Sequence, residues 1–287
     1  MKPKVLIGIV SKNRASILPK AIQSGLDQDY PNKQIVVFDD HSTDNTRELQ
    51  ERFPEVSWIF SEEPKGYLYA RNKLMREADA EYYCSLDDDA WFLKPDDLRA
   101  GVDYLESHPE AGGIAYDILS PEYPDERKLE EPRQVQSFIG CGHLLRLAYV
   151  REVGYYQPNP GSYGGEERDL SLQLYDRGYA IVKLPGVHIW HDITKLARDH
   201  QGQHRSVVYN DITLFFRRAP WFILVPGIFY KYFIHLKFAI GYKKADLLPA
   251  TKKGLIDFAR LIVKGGLTRD PVSLGSFYRF FYVLNKN

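Results

Sequence analysis

The sequence predicts an α/β protein: a mixed, mainly parallel sheet flanked by helices, followed by a helical C-terminal extension. Three observations predict it. Short β-branched runs alternate with helices of roughly ten residues from Lys4 onward. Acidic residues stand at the ends of two of those runs, "VVFDD" and "CSLDDD", where open sheets of this kind place their ligands. Beyond Gln201 the pattern reads as helix, with no repeat and no long linker.

Taken in order, "KVLIGIV" (Lys4–Val10) is a buried strand bounded by polar residues. "ILPKAIQSGLDQ" is a helix with Ser16 as candidate N-cap. "QIVVFDDHSTDNT" is a second strand running into acids and turn residues, and "TRELQERF" and "VSWIF" supply the next helix and strand. Gly66 opens a helix through "YLYARNKLMREADA", and "EYYCSL" is the fourth strand, which delivers Asp87, Asp88 and Asp89. Asp96 and Asp97 suit the N-cap of the helix that follows. "GGIAYDI" and "QVQSFIGCGHLLR" read as strands, and residues 119–133, with three prolines and many charges, as a surface loop. "GGEERDLSLQLYDRGY" is a helix preceded by Gly164 and Gly165 and closed by Gly178, with Leu170 and Leu174 on one face. "AIVKLPGVHIWHD" is a strand pair or a strand plus turn. Two domains are expected, 1–200 and 201–287.

The chain has 287 residues, 44% hydrophobic and 26% charged, which places it in the globular class. Its net charge is zero, yet residues 205–287 hold 14 Lys/Arg against 4 Asp/Glu. An acidic body with a basic tail suggests cation chemistry in the first part and contact with anions in the second, or simply a solvated basic face. Two cysteines, Cys84 and Cys141, make neither a disulfide framework nor a zinc ligand set, so a reducing compartment is expected. The apolar run in "MKPKVLIGIVSKNR" is too short for a signal peptide. The expectation is a cytosolic protein.

In a strand, alternate side chains point the same way, so Asp87 and Asp89 converge while Asp88 points elsewhere. Two carboxylates on one side are half of a hard-cation site, suited to Mg²⁺ or Mn²⁺, which bind few protein ligands plus substrate phosphates. Helix capping is the competing reading. In "GGEERDL", Glu166, Glu167 and Asp169 fit the helix dipole, by about 0.3–1 kcal/mol each. A carboxylate there also suits a general base acting on a hydroxyl. In "HIWHD", His188 and His191 face opposite ways if extended, so one of them points into a site.

These pieces, with "IVSKNR" and "VVFDDHSTDNT", resemble the family-2 inverting glycosyltransferases of the GT-A (Rossmann-like) fold over roughly residues 4–195. "LDDDA" stands where that family has its D-x-D motif, and "GEERDL" where it usually has an E-D-x-D-L stretch. "GYLYARN" resembles the segment after its third strand. The resemblance implies transfer of a sugar from a UDP- or dTDP-linked donor to a hydroxyl of a glycan or lipid-linked acceptor. It implies that Asp40 and Asp39 bind the base, with Val10, Ser11, Arg14, Gly66, Arg71, Asp87 and Asp88 lining the nucleotide. Asp89 and His191 are the implied ligands of Mn²⁺ or Mg²⁺. Glu167 is the implied base, with Glu166 beside it; the family usually has Asp there, one methylene shorter. "FIGCGHLLR" resembles the strand lining the sugar pocket, where Gly140, Cys141 and Gly142 leave room; a bulge in a strand is the equal alternative for the glycines.

Ala219–Lys244 is rich in large apolar and aromatic side chains but interrupted by Pro226, Gly227, Lys231, His235 and Lys237. Three readings stand: a helix pair lying on an anionic membrane, ordinary packing or a homo-oligomer contact, and a membrane span. The tail is similar to those of bacterial rhamnosyltransferase-like members, which build cell-surface polysaccharide, and this places the protein at the inner face of the cell membrane. No nucleic-acid partner is expected. A non-catalytic carbohydrate- or nucleotide-binding module on the same scaffold is the alternative class. A nucleotidyltransferase would want a Gly-rich basic loop after the first strand, and "IVSKNRAS" has none.

Overall fold

The computed structural model describes residues 2–123, 129–192, 199–241 and 245–284. Part of the expected surface loop (124–128), the last positions of the family resemblance (193–195), the end of the apolar stretch (242–244) and the end of the expected helical extension (285–287) lie outside the described residues. The chain divides into two compact units, Met1–Tyr156 with Arg177–Thr194, and Gln157–Asp176 with Lys195–Asn287. The division expected at residue 200 is thus interrupted by the "GGEERDL" helix. The reason is packing: Leu172 belongs to an apolar cluster with Leu214, Phe215, Phe277 and Phe280.

In the first unit, β1 (Val5–Ser11), β2 (Lys33–Asp39), β3 (Ser57–Phe60) and β4 (Tyr82–Asp87) lie parallel in the order β3-β2-β1-β4. Helices α1 (Leu18–Leu26), α2 (Leu49–Arg52) and α3 (Tyr67–Glu77) connect them. Then follow β5 (Ala90–Phe92), α4 (Asp97–Ser107), β6 (Ala111–Leu119), β7 (Arg133–Val135), β8 (Gly142–Arg146), α5 (Leu147–Val153) and, after the excursion into the second unit, β9 (Ala180–His191). The sheet continues β4-β8-β6-β9-β5, with β8 antiparallel to both of its neighbours and β6 parallel to β9. The β1 run is buried because the sheet is covered: Ile7 and Ile9 pack in one cluster with Leu18, Ile22, Cys84, Leu98 and Leu144.

Several local expectations are corrected. Ser16 does not cap α1; Ile17 holds that position, and Pro19 occupies the first turn, where no amide donor is needed. "TRELQERF" divides into a 3₁₀ turn, Asn45–Glu48, capped by Asp44, and the single turn of α2. Asp96 makes no side-chain cap bond. Instead Asp97 accepts from the Lys94 amide at 2.9 Å and Gln28 Oε1 accepts from the Leu98 amide at 2.8 Å, a cap supplied from across the fold. "QVQSFIGCGHLLR" is two strands, β7 and β8. "AIVKLPGVHIWH" is one strand with a register irregularity against β6 between Ala115 and Asp117. Gly186 there has φ 72°, a conformation that favours glycine.

The second unit holds α6 (Glu166–Asp176), α7 (His200–Arg218), α8 (Trp221–Gly241), α9 (Leu248–Val263) and α10 (Leu274–Tyr278), which runs on into a π-helical turn, Arg279–Val283. Leu170, Leu172 and Leu174 of α6 are fully buried. A second cluster joins Val208 and Ile212 of α7 to Phe258 of α9.

Candidate functional site

The register of the parallel strands sets the first half of the site. Val10 lies beside Asp87 and Ser11 beside Asp39, so these residues share one rim of the sheet. Both acids at the end of β2 are buried and hold loops. Asp39 Oδ1 accepts from the Ser42 amide at 3.1 Å and from its hydroxyl. Asp40 accepts from the amides of Lys65 (2.6 Å) and Gly66 (3.0 Å). A carboxylate has about four acceptor positions, so each acid keeps capacity for a further donor. Gly66 has φ 84°, and a Cβ there would meet nothing within 4 Å, so backbone conformation rather than space selects glycine. Half-buried Arg14 lies in the loop after β1. Asn13, which the sequence reading passed over, ties the two loops together: its Oδ1 accepts from the Thr43 amide at 2.7 Å.

Among the described residues, Asp87, Asp89 and His191 each offer a ligand atom, all within 4.8 Å of one another. Asp87 ends β4, and a tight turn carries the chain into β5, whose Ala90 pairs with His191 of β9. The Asp192 amide donates to the Asp89 carbonyl at 2.8 Å, and His191 Nε2 lies 3.2 Å from Asp89 Oδ1. His188, three residues earlier, is buried and outside the cluster, as strand alternation requires. Asp88 is not one of the three. Burial pushes its carboxyl up to about 7, with Asp89 and Asp87 adding to the rise and the Ser11 hydroxyl and Arg14 opposing it. Two carboxylate oxygens and one imidazole nitrogen suit Mn²⁺ or Mg²⁺ and leave coordination positions for substrate oxygens. Asp87, expected on the nucleotide, is grouped here with the two expected ligands.

Buried Arg71 of α3 anchors this cluster. Its Nη2 donates to Asp87 Oδ1 at 2.5 Å and to the Gly140 carbonyl at 3.0 Å. The glycines of "FIGCGH" were expected to leave room for a sugar. At Gly142 an added Cβ would come within 2.9 Å of both Ile189 and Ile118, so the missing side chain admits core packing. Cys141 is equally buried, and burial raises its thiol well above the usual range. Gly140 takes part through its carbonyl, which accepts from Arg71. Behind this strand His143 is buried, with Nδ1 3.2 Å from the Ile139 carbonyl and Nε2 3.1 Å from the Tyr156 hydroxyl. Burial, then the charge of Arg71, lowers its pKa to about 3, so the ring is neutral.

In the second unit, Gly164 (φ 78°) and Gly165 (φ 100°) lead into α6. Asn210 of α7 fixes that lead-in: its Oδ1 accepts from the Gly161 amide at 2.7 Å, and its Nδ2 donates to the carbonyls of Tyr163 (3.1 Å) and Gly164 (2.7 Å). Sequence offered no signal for this residue. The three acids of α6 differ. Glu166 is buried and accepts from Asn159 Nδ2 at 3.1 Å. Asp169 is buried and accepts from Arg218 Nε at 2.6 Å and Nη2 at 3.1 Å. Glu167 is only half-buried.

A mixed α/β sheet with a carboxylate–imidazole cluster at its strand ends defines the GT-A class of glycosyltransferase scaffold. Solved structures bear out the fold. A Pyrobaculum calidifontis mannosyltransferase in complex with GDP-Man and Mn²⁺ aligns over 100% of this chain and 83% of its own, with a TM-score of 0.61 and 17% identity. S. aureus TarS 1-349 in complex with UDP-GlcNAc aligns over 82% and 71%, with a TM-score of 0.62 and 16% identity. The chain belongs to glycosyl transferase family 2, whose family model matches residues 6–159. It is 31% identical over 109 residues to a putative teichuronic acid biosynthesis glycosyltransferase, TuaG, of Bacillus subtilis, 36% of this chain and 42% of that one. It is 23% identical over 202 residues to a glucosyl-dolichyl phosphate glucuronosyltransferase of Haloferax volcanii, 62% and 64%. The chain therefore spans about two fifths and under two thirds of these relatives' lengths.

Proposed function

We propose that the protein is an inverting glycosyltransferase that moves a sugar from a UDP- or dTDP-linked donor to a hydroxyl of a glycan or lipid-linked acceptor, in cell-surface polysaccharide synthesis. The observation that carries the reading is the convergence of Asp87, Asp89 and His191 at the strand ends of a family-2 chain. These three residues would hold Mn²⁺ or Mg²⁺, and the bound cation would offset the charge that develops on the departing diphosphate. Asp40 and Asp39 accept hydrogen bonds from the base, with Val10, Ser11, Arg14 and Gly66 alongside, and Asp88 lies toward the ribose and sugar. Arg71 acts on the nucleotide side by orienting Asp87.

Glu167 is the base, on the strength of the "GEERDL" motif and its greater exposure than Glu166. It takes the proton of the acceptor hydroxyl. That oxygen bonds to the anomeric carbon on the face opposite the diphosphate, the bond to diphosphate oxygen breaks, and configuration inverts. No covalent enzyme intermediate forms. The test is release of nucleoside diphosphate from a panel of sugar nucleotides with Mn²⁺ and candidate acceptors. Turnover with one donor is the expected result; tight donor binding with no turnover under any pairing would make the protein a binding module instead.

A further inference from the structure

We infer that the outer face of α8 docks on an anionic lipid bilayer, lying along the interface rather than passing through it. The helix, Trp221–Gly241, is long and apolar enough by length and composition to cross a membrane, with a mean hydropathy of 1.4 over its most apolar stretch. Only 11% of that stretch is buried. Its amphipathicity is inverted. The polar residues Lys231 and His235 turn inward, each 3.1 Å from Asp211 Oδ2 on α7, and Leu224 and Ala239 are buried along the same stripe. The outward positions carry Phe222, Val225, Phe229, Phe233 and Ile240, each 60–67% exposed. Water is a poor solvent for such a face, and contiguous apolar patches of this kind mark interaction surfaces.

Two features choose the occupant. The first is charge: exposed Lys237 sits among the outward apolar side chains, and Lys252, Lys253, Lys264 and Arg279 are exposed elsewhere in the same unit, within a tail of 14 basic and 4 acidic residues. An apolar helix face that carries a lysine, in a unit with an excess of cations, matches the headgroup boundary of an anionic leaflet. The second is depth. The inner face of α8 is ion-paired to α7, and α7 carries Arg205, Asp211, Arg217 and Arg218. Such helices do not follow α8 into hydrocarbon, so insertion stops near the α8 axis. Trp221, 73% exposed with Arg269 4.3 Å from its ring, and Tyr230 supply the amphipathic rings typical of the interface.

The test needs no turnover, so its failure is distinct from failure of the transferase reading. The full chain is sedimented with vesicles of phosphatidylcholine alone or of phosphatidylcholine containing one third phosphatidylglycerol. Binding to the anionic vesicles is expected, with release by alkaline carbonate. Phe229→Glu with Phe233→Glu should weaken it at least about tenfold, and Lys237→Glu less so, both with unchanged melting temperature since these side chains point away from the fold. No binding by the unaltered chain would overturn the inference, as would undiminished binding by the double variant. Resistance to carbonate would make α8 a span, and a stable dimer dissolved by Phe229→Glu would assign the face to a second copy.

Discussion

Arg71 holds Asp87 from behind, its Nη2 2.5 Å from Asp87 Oδ1 and 3.0 Å from the carbonyl of Gly140. One buried guanidinium nitrogen thus joins a residue of the Asp87–Asp89–His191 cluster to the loop before β8. Asp87 stands beside two further carboxylates, and without a neighbouring cation all three would repel at close range.

Removing that guanidinium should be costly. Arg71→Ala is expected to lose about 2 kcal/mol of folding stability, less than for a fully buried pair because the Asp87 side chain is a third exposed. Arg71→Lys should recover only part of it, since a lysine ammonium lacks the planar fork. Urea unfolding of the three proteins decides this, and an unchanged midpoint for the alanine variant would refute it.

The cation cluster predicts metal dependence. Asp89→Asn and His191→Ala should each weaken Mn²⁺ binding by at least about tenfold in calorimetric titration. Turnover should fall by about 100-fold or more. EDTA should silence the unaltered enzyme and Mn²⁺ restore it. His188→Ala, outside the cluster, should leave Mn²⁺ affinity unchanged.

The two glutamates of α6 should separate by readout. Glu167→Gln should keep donor affinity and lower transfer by about 10²–10⁴-fold. Glu166→Gln, whose carboxylate meets Asn159 in a buried position, should lower the melting temperature and retain most turnover. The reverse pattern would move the base to Glu166.

Asp211 makes stability depend on acid. Burial alone would raise its pKa, but the hydrogen bond from His235 and the charges of Lys231 and Arg168 outweigh it and hold the carboxyl below the usual range. A group depressed in the folded state contributes stability above its unfolded value of about 3.9, and loses it as pH falls further. Asp211→Asn should therefore be clearly destabilised at pH 7, and the gap to the unaltered protein should narrow below about pH 4. Denaturant midpoints across that range test it; a constant gap would show that the pairing carries no linkage.

Much of the first unit was legible locally. The β-branched runs and the acids at strand ends follow from a two-residue period and from where parallel sheets end, and each is written in consecutive residues; Asp87 and Asp89 converge as expected, but through the turn between β4 and β5 rather than by strand alternation. So is the family, through "VVFDDHSTDNT", "LDDDA" and "GEERDL". What consecutive residues could not specify was direction and partnership. Bringing His191 to Asp89 takes the antiparallel pairing of β5 with β9, and Gln28 caps α4 only because the segment after α1 comes beside the loop before α4, where its Nε2 also donates to the Lys94 carbonyl. Gly142 leaves room for Ile118 and Ile189, which come from distant parts of the chain. The apolar stretch after Pro220 announced its hydrophobicity but not its orientation. Only folding against Asp211 turned Lys231 and His235 inward, because a buried carboxylate needs the hydrogen-bond donors that an apolar core would exclude.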